Sequence, residues 1–254
     1  MSDTMGSSCP DRASATRTRR CADRLRVPGP LRISDRRLYV EAGIVSQEPR
    51  PEPDAGRRSE MPRDCREQAA VAEITYRTLR RDEIERVEEI DRAEVINHVF
   101  HLRDGQLALE EEHVDVGGWR SGALSQSKQR IYECLDREGS AWGAFYGDGL
   151  VGIAVLDGKR IGRTRDMVDL YFLHVSSGFR DRGIGRGLVG LVKARAVEMG
   201  ARRLYVSATP SHHTVRFYMG VGFAVTSQVE PELFEREPED IHMDMELVPG
   251  AEER

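Results

Sequence analysis

Leu173-His-Val-Ser-Ser-Gly-Phe-Arg180-Asp-Arg182-Gly183-Ile-Gly185-Arg186-Gly187-Leu188 is the stretch on which the reading of the whole chain turns. It leaves a nearly apolar run, Met167-Val-Asp-Leu-Tyr-Phe-Leu-His-Val175, whose composition predicts a central strand covered on both faces. It then passes through glycines into a segment with Leu188, Leu191 and Val192 on one helical stripe. A helix N-terminus has unpaired N–H groups and the positive end of the dipole, so it favours a phosphate. Glycine lets backbone approach such a group without a Cβ in the way. Arg180, Arg182 and Arg186 add positive charge around the turn. Glycines also build ordinary tight turns, so the stretch alone does not name a ligand. Two nucleotide-binding patterns are excluded by detail. Gly183, Gly185 and Gly187 are spaced G-x-G-x-G rather than G-x-G-x-x-G, and no lysine follows as a P-loop requires.

Working outward, residues 73–79 alternate as a strand, with Ile74 and Tyr76 on one face. Ile84, Val87 and Ile90 at helical spacing predict a helix with Asp82 as its N-cap. Residues 102–124 read as a looser stretch, followed by a helix over 125–138. Strands over 141–148 and 150–157 flank Asp148-Gly149, a hairpin signal. After the glycine-rich turn come a helix to Gly200, a strand over 201–209 and a short helix over 211–220. The last strands fall over 223–229 and 240–247. The order β-α-α-β-β-β-α-β-α-β-β is that of a mixed α/β (α+β) layer structure.

Residues 1–70 differ in kind. They hold seven of the 11 prolines, 14 arginines against 11 acids, and Tyr39 as their one aromatic residue. That composition predicts a disordered extension, or an upstream start with Met61 as the alternative first residue. The folded domain is expected over residues 71–254, where the balance turns acidic within a whole-chain charge of −5. An acidic domain argues against a nucleic-acid partner, since phosphate contacts supply most such affinity. No apolar run approaches the roughly 18–20 residues that cross a bilayer, so no membrane partner is expected. The opening residues lack the apolar core of a secretory signal, and Cys9, Cys21, Cys65 and Cys134 form no C-x-x-C pair. Together these predict a cytoplasmic protein with free thiols.

Two signatures then combine. Arg180, Gly183 and Gly185 fit R-x-x-G-x-G directly after a strand ending Leu173-His-Val. Downstream, Ser211-His-His-Thr-Val-Arg-Phe217-Tyr218-Met-Gly-Val-Gly222-Phe223 fits N-x-x-A-x-x-F-Y-x-x-x-G-F with two departures, Ser211 for Asn and Thr214 for Ala. In this order the pair resembles the GNAT superfamily of acetyl-CoA-dependent N-acetyltransferases over about residues 73–248. The resemblance implies a central, mostly antiparallel sheet flanked by helices, and acetyl-CoA as co-substrate with no metal. It implies that the backbone of Leu173, His174 and Val175 pairs with the pantetheine arm, and that the Val175 N–H polarises the thioester carbonyl. Arg180, Asp181, Arg182, Gly183, Ile184, Gly185 and Arg186 would surround the pyrophosphate, with Ser211 and Tyr218 also beside the cofactor. Some members carry an acidic base on the following strand; Val206 stands there in this chain.

Amine acetylation requires a neutral amine, a stabilised oxyanion and a proton for the leaving thiolate. By its place in the second signature Tyr218 is the candidate proton donor, or else a packed aromatic beside Phe217. Asp169, six residues before Val175 and so expected on the same strand face, is the candidate base, or else a solvated strand-start residue. His98, His101 and His113 lack a metal-ligand spacing and read as surface or pocket wall. Glu110-Glu111-Glu112 reads as a solvated charge run or an attractor for a cationic amine. His212 and His213 are expected to cap and flank their helix. The expected activity is acetyl transfer to a primary amine by a monomer or homodimer. The acceptor stays open between small molecule and protein, and a non-catalytic acyl-CoA-binding module is the alternative.

Overall fold

The computed structural model describes residues 73–247. The expectations for residues 1–70, including Met61, Cys9, Cys21 and Cys65, lie outside the described residues. Strands β1 (Ile74–Thr78), β4 (Ser140–Tyr146), β5 (Gly149–Leu156), β6 (Met167–Val175), β7 (Arg203–Ala208), β8 (Ala224–Val225) and β9 (Ile241–Glu246) form one sheet in the order β1-β4-β5-β6-β7-β9-β8. All neighbours are antiparallel except β6 and β7, which run parallel. A parallel pair needs a crossover, supplied here by helix α2 (Ile184–Glu198). The expected fold class is therefore the one observed.

The two faces of the sheet hold separate cores. On one, Ile184, Leu188, Val189 and Val192 of α2 pack against Ala144, Ala154, Val168, Leu170 and Leu204. On the other, a 3-10 helix (Arg81–Glu89) and helix α1 (Ala123–Asp136) bury Ile84, Val87, Ile131 and Cys134 against Phe145, Ile153 and Phe172. Each such fully buried aliphatic side chain stabilises by about 1.5–3 kcal/mol. Helix α3 (His212–Gly220) follows β7, and a short α4 (Pro231–Arg236) precedes β9.

Several expectations are corrected. The stretch over 102–124 is mostly ordered strand: β2 (Glu94–Arg103) and β3 (Gln106–Val116) form a separate hairpin turning at Asp104 and Gly105, both at positive φ. Glu110, Glu111 and Glu112 sit in β3, not in a loop. The hairpin docks on the start of α3, with the Phe100 N–H donating to the Pro210 carbonyl at 2.7 Å and Val99 bridging Ser211. The first helix begins at Arg81 behind Arg80 rather than at an Asp82 cap, because Glu83 turns back to accept from the Arg80 N–H at 3.0 Å. The β4–β5 turn lies one residue early, on Gly147 and Asp148, with Tyr146 paired to Gly149. The strand expected over 223–229 shortens to Ala224–Val225, and α4 was not expected at all.

Close approach fixes the end of α1. Arg137 and Asp157 form an ion pair at 2.6 Å, and a Cβ placed at Gly158 would lie 1.7 Å from the Arg137 carbonyl oxygen. Gly158→Ala must push α1 away from the strand it packs on. Overpacking of this kind costs about 1–3 kcal/mol, so Tm is expected to fall by about 3–10 °C in a domain of this size. Gly190→Ala, on the exposed face of α2 with nothing within 4 Å of its Cβ, should instead raise Tm slightly. Thermal melts followed by circular dichroism check both; equal melting of the two variants would show that the Gly158 contact does not constrain the fold.

Candidate active site

Strands β6 and β7 pair only over Met167–Asp169 and Arg203–Tyr205, and then separate. On its other side β6 stays paired with β5 up to Val175. The Ser176 N–H donates to the Val151 carbonyl at 2.9 Å across that ladder. Alternation along the strand then turns the Val175 N–H the opposite way, toward the side that β7 has left. Two cavities open there.

The first, of about 520 Å³, runs from the end of β6 past the glycine-rich turn to α3. Leu173, His174, Val175, Arg180, Asp181, Gly183, Ile184, Gly185, Arg186 and Tyr218 all line it, so ten expected residues converge on one cleft. Gly183 is the N-cap of α2 at φ 80°, a left-handed conformation in which glycine is nearly free of strain. It offers no side-chain cap, and the first intrahelical bond in α2 is from the Gly187 N–H to the Gly183 carbonyl at 3.0 Å. The N–H groups of Ile184, Gly185 and Arg186 therefore lack intrahelical acceptors and point out of the helix end. A cleft of this size, ended by free N–H donors and a positive dipole, fits a pyrophosphate.

Two of the expected cofactor residues do not line that cleft. Arg182 is exposed, with its guanidinium 5.2 Å from the Phe179 ring centroid. Ser211 is 2% exposed and caps α3: its Oγ accepts from the Thr214 N–H at 3.2 Å and donates to Thr214 Oγ1 at 2.9 Å. The capping expected of the histidines thus falls to Ser211, which retains the helix-starting role of an Asn. His212, His213, Thr214 and Phe217 line the cleft instead. Gly185 has a second constraint, since a Cβ there would meet the Phe217 ring at 3.0 Å. Its glycine serves the packing of α2 on α3 as well as the cleft.

The second cavity, of about 560 Å³, lies on the α1 side of the separated strands, with walls from Arg92, Ser127, Arg130, Phe172, Val206 and the segment Glu235–Asp240. Sequence reasoning missed Arg92, Arg130 and Asp240, whose neighbours along the chain carry no motif. The cavities share Glu94, Leu173, His174, Arg180, Thr214 and Tyr218.

Three titratable groups at this junction differ sharply. Tyr218 is 5% exposed, packed edge-on to Phe217 and Phe223, and its hydroxyl has no hydrogen bond to a described residue. Burial, then the nearby carboxyls of Asp169 and Asp240, hold its phenol above the usual range, so it keeps its proton. Tyr218 is thus a packed aromatic that retains its phenolic proton. His174 is half-buried, edge-on to Phe172 and Trp119, with neither ring nitrogen hydrogen-bonded to a described residue. Burial, then repulsion from Arg92 and Arg180, pushes its imidazole well below the usual value, so it stays neutral with a free lone pair.

Asp169 departs from expectation. Val155 pairs with Phe172 but Leu156 with Leu170, leaving Tyr171 as a bulge. Phe172 and Tyr171 accordingly both face the α1 core, whereas Leu170, Leu173 and Val175 face α2. The bulge shifts the alternation by one, so Asp169 and Val175 lie on opposite faces. Asp169 is 6% exposed rather than solvated, lines neither cavity, and leaves Oδ1 without a partner. Burial, then Glu237 and Asp157, raise its carboxyl well above the usual range.

The remaining candidates fall elsewhere. His113 Nδ1 lies 2.8 Å from Asn97 Oδ1, and His98 sits 6.4 Å from the ring of His212. Among the described residues no group of three or more His, Cys, Asp or Glu could hold a metal, and no helix is long and apolar enough to cross a membrane. Cys134 is a buried free thiol whose pKa is raised, chiefly by burial.

Comparison with known proteins agrees with this geometry. Residues 106–223 match the model of the acetyltransferase (GNAT) family. Nourseothricin acetyltransferase is similar in fold, with a TM-score of 0.54 and 19% identity over 69% of this chain and 99% of that one. A Bacillus anthracis str. Ames protein, assigned as a streptothricin acetyltransferase and solved with acetyl coenzyme A, gives a TM-score of 0.51 and 16% identity over 69% and 99% of the two chains. No curated protein sequence matches. The family match spans the strand, glycine-rich turn and α3 that build the cleft, so an acetyltransferase (GNAT) family domain lies over residues 106–223.

Proposed function

We propose that this acetyltransferase moves the acetyl group of acetyl-CoA to the nitrogen of a primary amine seated in the second cavity. The observation that carries this reading is the junction: a phosphate-suited cleft and a separate cavity meet at His174 and Tyr218. In this proposal the N–H groups of Ile184, Gly185 and Arg186 hold the pyrophosphate, and the Val175 N–H stabilises the oxyanion formed when the amine attacks the thioester carbonyl.

His174 takes the proton released by the attacking nitrogen, while Tyr218 gives one to the departing sulfur. A free alkylamine has a pKa of about 10.4, but its nitrogen becomes far more acidic as the N–C bond forms. A weak neutral base then suffices, provided its lone pair is free. His174 meets that condition. Asp169, which lines neither cavity and whose carboxyl burial raises well above the usual range, does not, so the base role passes to His174.

Tyr218→Phe and His174→Gln should each lower kcat by about 10²–10⁴-fold with acetyl-CoA affinity little changed, whereas Asp169→Asn should keep turnover within a few-fold. The pH profile adds a signed expectation. A depressed His174 pKa leaves the base neutral until pH falls below the ordinary imidazole range of about 6.5, so the acidic limb of kcat lies below that value and vanishes in His174→Gln. Steady-state kinetics across pH with a panel of primary amines reads these changes; full activity in Tyr218→Phe would reduce that residue to packing.

Gly183→Asp tests the cofactor end. Open space surrounds the Gly183 Cβ position, so folding should survive the modest cost of a side chain at positive φ. A carboxylate there would cap the free N–H groups and repel phosphate, and CoA affinity is expected to fall by at least ~10-fold by calorimetry. Undiminished affinity would place the pyrophosphate elsewhere.

A further inference from the structure

Arg92 is one of the cations of the second cavity. It lines that cavity and not the cofactor cleft, and it makes no hydrogen bond or ion pair with any described residue. The attractive carboxylate in its field, Glu94, is engaged with Arg180 at 3.7 Å. Burial also pushes the Arg92 guanidinium below its usual pKa, a cost that an anionic partner would offset.

Its position is nonetheless built rather than incidental. Asp91, the preceding residue, is tied to the start of the glycine-rich turn: its N–H donates to Ser176 Oγ at 3.1 Å, and the Ser177 N–H donates to its carbonyl at 3.0 Å. The guanidinium lies 4.6 Å from the centroid of Trp119. Trp119 is itself fixed, by a 2.8 Å hydrogen bond from Nε1 to the Ile90 carbonyl and by stacking on Phe172. The edge of His174 meets the same indole, with centroids 6.1 Å apart. One aromatic ring thus separates an unpaired cation from the imidazole at the junction.

We propose that Arg92 receives a carboxylate of the acceptor, so that the acceptor is an amino acid or a similar molecule with a carboxylate close to the attacked amine. This rests on the amine-acetylation reading above and adds the chemical class of the substrate. A guanidinium matches a carboxylate with two parallel N–H donors, which fixes orientation as well as position. An amine anchored in this way is directed from Arg92 toward His174. Arg130 and Arg236 also line the cavity; Arg130 lies in the field of Tyr171 and Arg236 in that of Asp169 and Glu232, whereas Arg92 is the cation held over Trp119, the ring that His174 also meets.

The test compares amino acids with their amides in two measurements on the full chain. Thiol release from acetyl-CoA gives kcat/KM for each acceptor, and calorimetry gives the affinity of the CoA-bound protein for N-acetyl amino acids against N-acetyl amino acid amides. Wild type is expected to favour carboxylates in both. Arg92→Gln should erase ~10–100-fold of that preference, mainly through KM, and Arg92→Lys should retain part of it. Equal treatment of carboxylates and amides by wild type, or a preference untouched in either Arg92 variant, would overturn the proposal. Carboxylate binding that depends on Arg92 without transfer to any amine would uphold the subsite and reject the amine-acetylation reading.

Discussion

The parting of β6 from β7 beyond Asp169 and Tyr205 governs everything around the site. A central strand normally spends its N–H and C=O groups on both neighbours, and here one neighbour is withdrawn for the last two thirds of β6. The bulge at Tyr171 accompanies this change, adding local twist and reversing which residues face which core. The opened edge leaves the Val175 N–H without a sheet partner. The mouth of the opening is finished by the N-terminus of α2 on one side and Tyr218 of α3 on the other. The hairpin of β2 and β3 braces α3 from outside through Val99 and Phe100.

Burial acts on both polar groups at this opening, with opposite signs and one consequence. It raises the phenol of Tyr218 and lowers the imidazole of His174, so each is held in its uncharged form. A neutral donor and a neutral acceptor at one junction can pass protons in and out without a charged resting state that the low-dielectric site would have to carry. Asp169 shows the same physics without access. Burial raises its carboxyl well above the usual range too, but it lines neither cavity.

The first cleft was legible in the sequence because contiguous backbone builds it. Gly183 at positive φ, the strand before it and the helix after it are contiguous, and their spacing survives any change of surrounding side chains. The second signature was equally local, and Ser211 keeps the cap that the motif requires. What failed were inferences that needed a partner strand. The apolar run of β6 conceals its bulge, since alternation cannot be counted where nearly every residue is hydrophobic. The β2–β3 hairpin was obscured by Glu110, Glu111 and Glu112 and by a register shift between Ile96 and His98, although Asp104-Gly105 carries the same turn chemistry as Asp148-Gly149.

The acceptor side was illegible for a different reason. Arg92, Trp119, Arg130 and Asp240 come from four separated parts of the chain and meet only after folding. Side chains rather than backbone form that wall, so it can be altered piece by piece while the cleft for the cofactor stays intact. The two sides are still not independent. Asp91 binds the turn at Ser176 and Ser177, so the residue that positions Arg92 is anchored where β6 hands over to the phosphate-suited helix. The Ser177 hydroxyl also donates to the Asp91 carboxylate, which is the leading cause holding that group below its usual pKa. In the proposed reaction the anchor would set the distance between an acceptor at Arg92 and a thioester at Val175, on which the meeting of amine and carbonyl would depend.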